Sequence, residues 1–317
     1  MNRNLALEFV RVTEIAAINS ARWMGKGDEK AADQAAVDGM RKMLDSIECD
    51  ATVVIGEGER DKAPMLFIGE KVGTGKGVKL EIALDPLEGT TICAIGGYNA
   101  TSVMAIGKEN SLLHAPDIYM KKIATGPACR GLIKIEDPMI ANLERMAERK
   151  RCNISDLTVS ILNRERHQEL IKETRATGAR IQLIGDGDVS SAIATAIPGS
   201  GIDLVVGIGG APEGVIAAAA LKCMRGEFQG QLVAIGADQE ERAAKMGYEH
   251  LDKIYHTSDL ASGDVMFVAT GVTDGSLLKG VKFRTEGATT HSIVMRSASG
   301  TIRNITAEHF FDRKPIY

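Results

Sequence analysis

The sequence predicts an α/β protein in which helices pack on β-sheets. Short β-branched runs recur along the chain, each ending in glycine or aspartate, and helical patterns lie between several of them. Glycine is abundant, at 34 residues, whereas aromatic residues make up only 4%. That balance favours many tight strand-to-helix turns over a β-sandwich packed with aromatic side chains.

Two N-terminal helices are predicted because apolar residues recur at intervals of three and four, as one face of a helix requires. The two stripes are Leu5, Phe9, Val12 and Ala16, and then Val37, Met40, Leu44 and Ile47. The β-branched runs predict strands at 51–55, 80–84, 101–106, 157–162, 180–184, 204–208 and 265–270. Further helical patterns cover 140–151, 168–176 and 215–224.

The charged stretch 136–153 is the best candidate for a junction between two halves of the chain. We therefore expect an N-terminal half at 1–155 and a C-terminal half at 156–317, packed intimately as one unit. The sequence contains no internal repeat and no low-complexity tract.

Composition excludes several classes of function. The net charge of −4 leaves no broad basic surface for nucleic acid, and no apolar run approaches the roughly 18 residues of a membrane helix. The first residues show no signal peptide, so we expect a cytoplasmic protein. The five cysteines are scattered and never form a Cys-x-x-Cys pair, which indicates reduced thiols rather than disulfides or zinc ligands.

Acidic residues gather where predicted strands end, which is where open α/β sheets collect ligands. These acids are Glu57 and Glu59, Asp85 and Glu88, Asp186 and Asp188, and Glu213. Asp33 lies four residues before Val37 on a helical stripe, so its side chain is predicted to point inward.

Several carboxylates in one pocket repel each other and lose hydration unless cations neutralise them. Oxygen ligands suit Mg²⁺ or Mn²⁺, and the six histidines show no zinc-type spacing. Two such ions about 4 Å apart would clamp a phosphoryl group and activate a water. The sequence therefore predicts a divalent-metal site for a phosphorylated substrate.

Simpler interpretations exist for most of these motifs. An acid beside glycine at a strand end is often only a turn, and Asp33 equally suits a helix cap. Arg164 and Arg166 offer two guanidiniums for phosphate, or belong to a solvated charge run. The segment 85–90 is more specific, because its proline fixes a turn between two carboxylates that a glycine and a threonine follow.

On these residues the chain resembles the class II fructose-1,6-bisphosphatase family, within the superfamily of metal-dependent, lithium-sensitive sugar and inositol phosphatases. The resemblance runs nearly end to end. It is carried by 27–33, 55–65, 85–90, 115–120, 185–188, 207–214, 269–275 and 289–296.

The resemblance implies a layered αβαβα sandwich that hydrolyses the 1-phosphate of fructose 1,6-bisphosphate in gluconeogenesis, as a homodimer or homotetramer. It implies a metal-binding N-terminal half and a substrate-binding C-terminal half. The implied ligands of Mn²⁺ or Mg²⁺ are Asp33, Glu57, Asp85, Glu88 and Glu213. The implied catalytic residues are Thr90, Glu57, Glu59 and Asp61. The implied substrate contacts are Glu88, Gly89, Thr90, Tyr119, Arg164, Glu165, Arg166, Asp186, Gly187, Asp188 and Gly210.

Two positions depart from the family pattern. Glu29 stands where a lysine is common, and Glu165 places a carboxylate among the expected phosphate contacts. Other hypotheses are a phosphatase for sedoheptulose bisphosphate or inositol monophosphate, and a catalytically silent sugar-phosphate sensor. The sensor is disfavoured because every metal and catalytic position of the family holds a compatible residue.

Overall fold

A computed structural model describes residues 4–58 and 65–313, which divide into two compact units. The first unit comprises Met1–Leu112 and Gly263–Tyr317, and the second comprises Leu113–Ser262. The α-helices are α1 (Leu5–Ala21), α2 (Glu29–Leu44), α3 (Thr90–Ile95), α4 (Met139–Lys150), α5 (Gln168–Ala176), α6 (Asp188–Ala194), α7 (Ala211–Cys223), α8 (Ala237–Lys245) and α9 (Thr257–Leu260). The strands are β1 (Cys49–Ile55), β2 (Lys71–Val72), β3 (Val78–Glu88), β4 (Thr101–Lys108), β5 (Tyr119–Thr125), β6 (Thr158–Leu162), β7 (Arg180–Ile184), β8 (Leu204–Gly210), β9 (Glu227–Val233), β10 (Ile254–His256), β11 (Val265–Gly271), β12 (Lys282–Arg284), β13 (Gly287–Arg296) and β14 (Thr301–Phe310).

The first unit is built on a mixed sheet of eight strands among its described residues. Its order is β12-β13-β11-β4-β3-β1-β2, and β14 pairs with β13. Only β1 and β3 run parallel among these described pairs, and the others are antiparallel. Strands from both ends of the chain therefore share one sheet, since β11 pairs with β4 along seven residue positions.

The helices α1 and α2 cover this sheet with the apolar faces that the sequence predicts. All eight stripe residues from Leu5 to Ile47 are buried in one continuous core. Asp28 caps α2, because its side chain accepts a hydrogen bond from Ala31 N at 2.9 Å. Asp33 lies inside the helix, so the interpretation of Asp33 as a cap is wrong.

The second unit has its own mixed sheet of six strands, in the order β10-β9-β5-β8-β6-β7. β6 is parallel to β7 and β8, and the remaining described pairs are antiparallel. A separate core joins α4 to the sheet through Leu143, Met146, Val159 and Leu204. Because each unit combines helices with a mixed sheet, the α/β class is confirmed.

The observed division of the chain differs from a boundary at residue 155. That position lies inside the second unit, between α4 and β6. The charged stretch before it forms an amphipathic helix, which buries Leu143 and Met146 rather than serving as a linker. The first unit is discontinuous because β11, β13 and β14 return to the sheet of the N-terminal segment.

Two other features agree with the sequence. The five cysteines are free thiols, of which Cys49, Cys93, Cys129 and Cys223 are buried and Cys152 is half-buried. Among the described helices, none combines the length and the apolar character that crossing a bilayer requires.

Gly126 provides a test of packing in the second unit. It follows β5 directly and is buried, and a Cβ at this position would collide with the backbone oxygen of Thr195. We expect Gly126→Ala to lower the free energy of unfolding by about 1–3 kcal/mol, because backbone must move to admit the methyl group. Urea denaturation measures this loss.

The matched control is Gly185→Ala, since Gly185 is exposed and a Cβ there meets nothing within 4 Å. We expect that variant to unfold within about 1 kcal/mol of wild type. Equal losses in the two variants would contradict the packing argument.

Candidate active site

Asp33 and Glu57 form an acidic pair in the first unit. Asp33 lies on α2, and Glu57 follows β1 by two residues. Burial raises the pKa of Glu57, and the charge of Asp33 raises it further, to about 8. Burial also raises the pKa of Asp33. Asp33 therefore lies close enough to Glu57 to disfavour the charged form of Glu57, as the inward orientation of Asp33 predicts.

Asp85 and Glu88 lie at the carboxyl end of β3. The strand continues to Glu88 rather than ending at residue 84, and its register with β4 shifts between Asp85 and Glu88. The Asp85 carboxylate accepts a hydrogen bond from Leu87 N at 3.0 Å, which holds this irregular turn of the strand. Glu88 is buried.

The end of β3 lies at the same sheet edge as the end of β1. The two strands are parallel neighbours, with Ile55 beside Ala83, so Glu57 and Asp85 each follow that register by two residues. Among the described residues, no group of three or more His, Cys, Asp or Glu side chains forms a ready-made metal site. Glu57 and Asp85 therefore follow the same end of two neighbouring strands, but they are not part of a closed set of metal ligands.

Gly89 and Thr90 follow Glu88 directly in the chain. Gly89 has φ of +86°, a left-handed conformation that favours glycine, and Thr90 begins α3 as a half-buried residue. This turn places the Thr90 hydroxyl two residues after Glu88. Glu59 and Asp61, the other predicted catalytic residues, lie outside the described residues.

A second group of charged residues lies in the second unit. Lys122 Nζ on β5 donates to Asp188 Oδ2 at the start of α6, at 2.6 Å. The two side chains are only 4% and 11% exposed. Burial with a short, direct ion pair makes this a strongly held contact, because neither charge has much access to water.

Glu213 lies beside this ion pair, in the first turn of α7. Burial raises the pKa of its carboxyl group, Lys122 opposes the shift, and Asp188 adds to it. Its Oε2 is enclosed and has no hydrogen-bond partner within residues 4–58 and 65–313. An enclosed carboxylate oxygen without a hydrogen-bond partner is well suited to bind a cation.

Two consecutive glycines make room for these side chains. A Cβ at Gly209 would collide with the Asp188 carboxylate and lie 3.0 Å from Lys122 Nζ, and one at Gly210 would collide with Glu213 Oε2. The carboxylates therefore lie directly against the end of β8. Gly210, a predicted substrate contact, is in this structure the residue that admits Glu213.

The predicted phosphate contacts occupy the same unit. Arg166 donates from Nε and Nη2 to Ile208 O, at 3.0 and 2.8 Å, and its guanidinium lies 4.9 Å from the ring centre of Tyr119. The Nε and Nη2 donors of Arg166 therefore already bind the backbone of β8. Arg164 lies 3.9 Å from Asp186 in an exposed ion pair, and Glu165 is exposed.

Gly187 and His167 shape the ends of the neighbouring elements. Gly187 precedes α6 with φ of +79°, which turns the chain from Asp186 into Asp188. His167 Nδ1 donates to Leu162 O and Nε2 accepts from Ile208 N, each at 2.8 Å, so the buried ring ties β6 to β8. Burial lowers the pKa of His167, in keeping with the neutral ring.

Lys122 is the charged residue that sequence reasoning missed. The strand β5 was not predicted, because two adjacent lysines interrupt its apolar pattern. A signal was present nonetheless: in a strand, neighbouring side chains point to opposite faces, so one lysine of the pair must face the interior. Lys122 is that residue, and it is buried whereas Lys121 is half-buried.

Comparison with known proteins places these residues in a family. The family model for bacterial fructose-1,6-bisphosphatase, glpX-encoded, matches residues 3–309. Fructose-1,6-bisphosphatase 1 class 2 of Escherichia coli strain K12 is 44% identical, covering 99% of this chain and 97% of its own. The class 2 enzymes of Escherichia coli O6:H1 and Shigella flexneri match with the same identity and coverage. With a family match over nearly its whole length, the chain belongs to the bacterial, glpX-encoded fructose-1,6-bisphosphatase family.

Proposed function

We propose that this protein hydrolyses fructose 1,6-bisphosphate to fructose 6-phosphate and inorganic phosphate, as a step of gluconeogenesis. The observation that carries the proposal is the 44% identity, over 99% of the chain, to proteins named fructose-1,6-bisphosphatase class 2. The acidic pair in the first unit and the charged group in the second support it, since phosphoryl transfer needs cations to offset phosphate charge.

We further propose that the working cation is Mn²⁺ or Mg²⁺. In the first unit Asp33 and Glu57 would hold one ion, and Asp85 and Glu88 a second; Glu213 of the second unit is the fifth ligand that the resemblance implies. The all-oxygen donor set fits hard divalent ions. The enclosed Oε2 of Glu213 and the raised pKa values of Asp33 and Glu57 support this assignment, because each marks a carboxylate that a cation would stabilise. When bound, the ions supply positive charge that stabilises the developing charge on the phosphoryl oxygens.

The protein's own groups then have distinct roles. The Thr90 hydroxyl positions the attacking water beside the scissile phosphate, and Gly89 lets the backbone approach that phosphate closely. Glu59 and Asp61 are the candidates for accepting and transferring the proton of the attacking water. No covalent enzyme intermediate is required, so positioning and electrostatics account for most of the rate.

The substrate contacts fall into two groups. Arg164 and Arg166 are proposed to bind the phosphate that remains on the sugar, with the Arg166 plane held by Tyr119 and Ile208 O. The sugar hydroxyls are assigned to Asp186, Gly187, Asp188, Gly210 and Tyr119. Lys122 holds the Asp188 carboxylate in place through their ion pair. Glu165 is exposed, and we expect it to point away from the bound phosphate.

The test is phosphate release from fructose 1,6-bisphosphate by metal-stripped protein, with Mg²⁺ and Mn²⁺ restored separately. We expect activity only after an ion is restored, and Asp85→Asn to lower kcat by at least about 100-fold, the usual cost of losing one group that stabilises transition-state charge. Asparagine can still accept from Leu87 N, so the turn is kept.

The control for this substitution is Asp252→Asn, which removes an exposed carboxylate and should leave kcat unchanged. Sedoheptulose bisphosphate and inositol monophosphate are assayed in parallel. Faster turnover of either one, or silence on all three with folded protein and both ions, would refute the proposed substrate.

Removing the Lys122 charge should destabilise the second unit. In Lys122→Met the Asp188 carboxylate keeps its buried position without a cation, which typically costs about 3–5 kcal/mol. The double variant with Asp188→Asn should recover part of that loss, because the Asp188 charge that Lys122 compensates is then also removed. Urea denaturation measures both, and Lys121→Met is the control. Additive losses of unfolding free energy in the double variant would show that the broken ion pair does not cause the destabilisation of Lys122→Met.

The raised pKa of Glu57 predicts that the free energy of unfolding of the metal-free protein depends on pH. This pKa of about 8 in the folded state exceeds the usual 4.5, so between these values the folded state binds more protons than the unfolded chain. The free energy of unfolding therefore falls as pH rises through this window. We expect Glu57→Gln to raise the Tm of metal-free protein increasingly between about pH 5 and pH 9.

Glu144→Gln, at an exposed position on α4, should change the Tm equally at every pH. If the difference between Glu57→Gln and wild type were constant across this range, the raised pKa of Glu57 would be refuted.

A further inference from the structure

The strand β14 forms an unusually long open edge of the first unit. Among the described strands it pairs only with β13, in a register that runs unbroken from Gly287 opposite Phe310 to Arg296 opposite Thr301. The other described strands that end a sheet order, β2, β7, β10 and β12, have two, five, three and three residues, whereas β14 has ten.

Natural proteins protect such edges with short strands, prolines, lysines or bulges. β14 contains no proline and no lysine, and its pairing with β13 shows no register shift. Its exposed charges are Arg303 and Glu308, of which Glu308 is already paired with Arg284 at 3.0 Å. The strand thus lacks the prolines, lysines and bulges that commonly keep an edge from pairing.

The hydrogen-bond pattern shows which residues face the open edge. Phe311 N donates to Glu286 O on the β14 side of β13, and Ser297 N donates to Val265 O on the β11 side. In an antiparallel pair, hydrogen-bonded and non-hydrogen-bonded residue pairs alternate. Counting from the pair of Glu286 with Phe311, the backbone groups of the even-numbered residues 302 to 310 point away from β13.

The side chains of these same five residues are all exposed. They are Ile302, Asn304, Thr306, Glu308 and Phe310. Of their odd-numbered neighbours, which point to the opposite face of the sheet, Ile305 packs on the hydrophobic core and His309 is buried. Ile302 is 42% and Phe310 is 53% exposed, so an apolar residue stands near each end of the strand.

We propose that the open edge of β14 binds β14 of a second copy of this chain, antiparallel, about a two-fold axis at Thr306. Each outward-facing residue then meets an outward-facing residue of the other copy. Ile302 lies opposite Phe310, Asn304 opposite Glu308, and Thr306 opposite itself. The sheet of one copy continues into that of the other.

The side chains suit this register on every pair. The two apolar residues cover each other twice, an amide can donate to a carboxylate twice, and two threonines meet at the axis, all of which are favourable cross-strand pairs. Because one strand supplies both members of each pair, the surface is complementary to itself, as a two-fold interface requires.

Neighbouring registers lose this match. A two-fold axis at Asn304 puts Phe310 opposite residue 298, outside the strand. An axis at Ile305 puts Ile302 opposite the charged Glu308. The axis at Thr306 keeps the apolar pair and uses all five outward-facing residues.

The first test is the mass of the protein in solution, measured by sedimentation equilibrium. Thr306→Lys would place two like charges opposite each other at the axis, so we expect the mass to fall by half or the dissociation constant to rise at least tenfold. Thr306→Glu should do the same, and mixing the two variants should restore assembly through opposite charges.

The matched control is Gln182→Lys, which adds a lysine at an exposed position of the edge strand β7 in the second unit. We expect no change in its mass. A monomeric wild-type protein, or Thr306→Lys protein that assembles as wild type does, would overturn the proposal.

The second test reports the register through disulfide formation in a Cys152→Ser background, since the other four native thiols are buried. Thr306→Cys should cross-link two chains on oxidation, because residues directly opposite in a ladder have Cα atoms about 5.5 Å apart. Two Cys residues at 304 would lie four positions apart, about 13 Å, which is too far for a bond. Cross-linking of Asn304→Cys but not of Thr306→Cys would refute the register.

Discussion

The need to hold negative charge away from bulk water is the constraint on which both units depend. The structure meets it in different ways. Glu81 is buried in the first unit, and its carboxylate accepts from the backbone N–H groups of Ser111 and Leu112 at 3.1 and 3.3 Å. Asp188 in the second unit is paired with Lys122. Glu57 has instead a second carboxylate, Asp33, as its electrostatic neighbour, which is why we propose a cation for this pair and a role in the fold for the other two carboxylates.

The close approach of charged side chains to the sheet depends on residues without side chains. Gly209 and Gly210 end β8 where Asp188 and Glu213 press against the backbone. The same strand end carries Ile208, whose carbonyl oxygen accepts from the Arg166 guanidinium and whose N–H donates to His167 Nε2. One strand terminus therefore positions the acidic, basic and neutral groups of the second unit together. Any shift of β8 would move all of them at once, so the precision of this group depends on how firmly the sheet holds that strand.

Much of the fold was predictable from local patterns. The two N-terminal stripes, β7 and α5 were located from apolar spacing, since such segments bury one face whatever their partners are. β5, β9, β13 and β14 were not, because their polar and glycine residues break the alternation and their stability comes from distant partners. Of the candidate site, the acids at the ends of strands were found. Lys122, the bulge in β3 and the attachment of Arg166 to Ile208 O depend on tertiary contacts that spacing does not encode.

The division of the chain also bears on how the protein forms during synthesis. The second unit is continuous and is complete once Ser262 has been made, whereas the first unit needs β11 before the edge of β4 is paired. As long as the second unit is being translated, that edge of the N-terminal sheet stays open. The second unit is therefore complete before β11, β13 and β14 are made. These strands then complete a sheet whose β3 and β4 were made before the second unit.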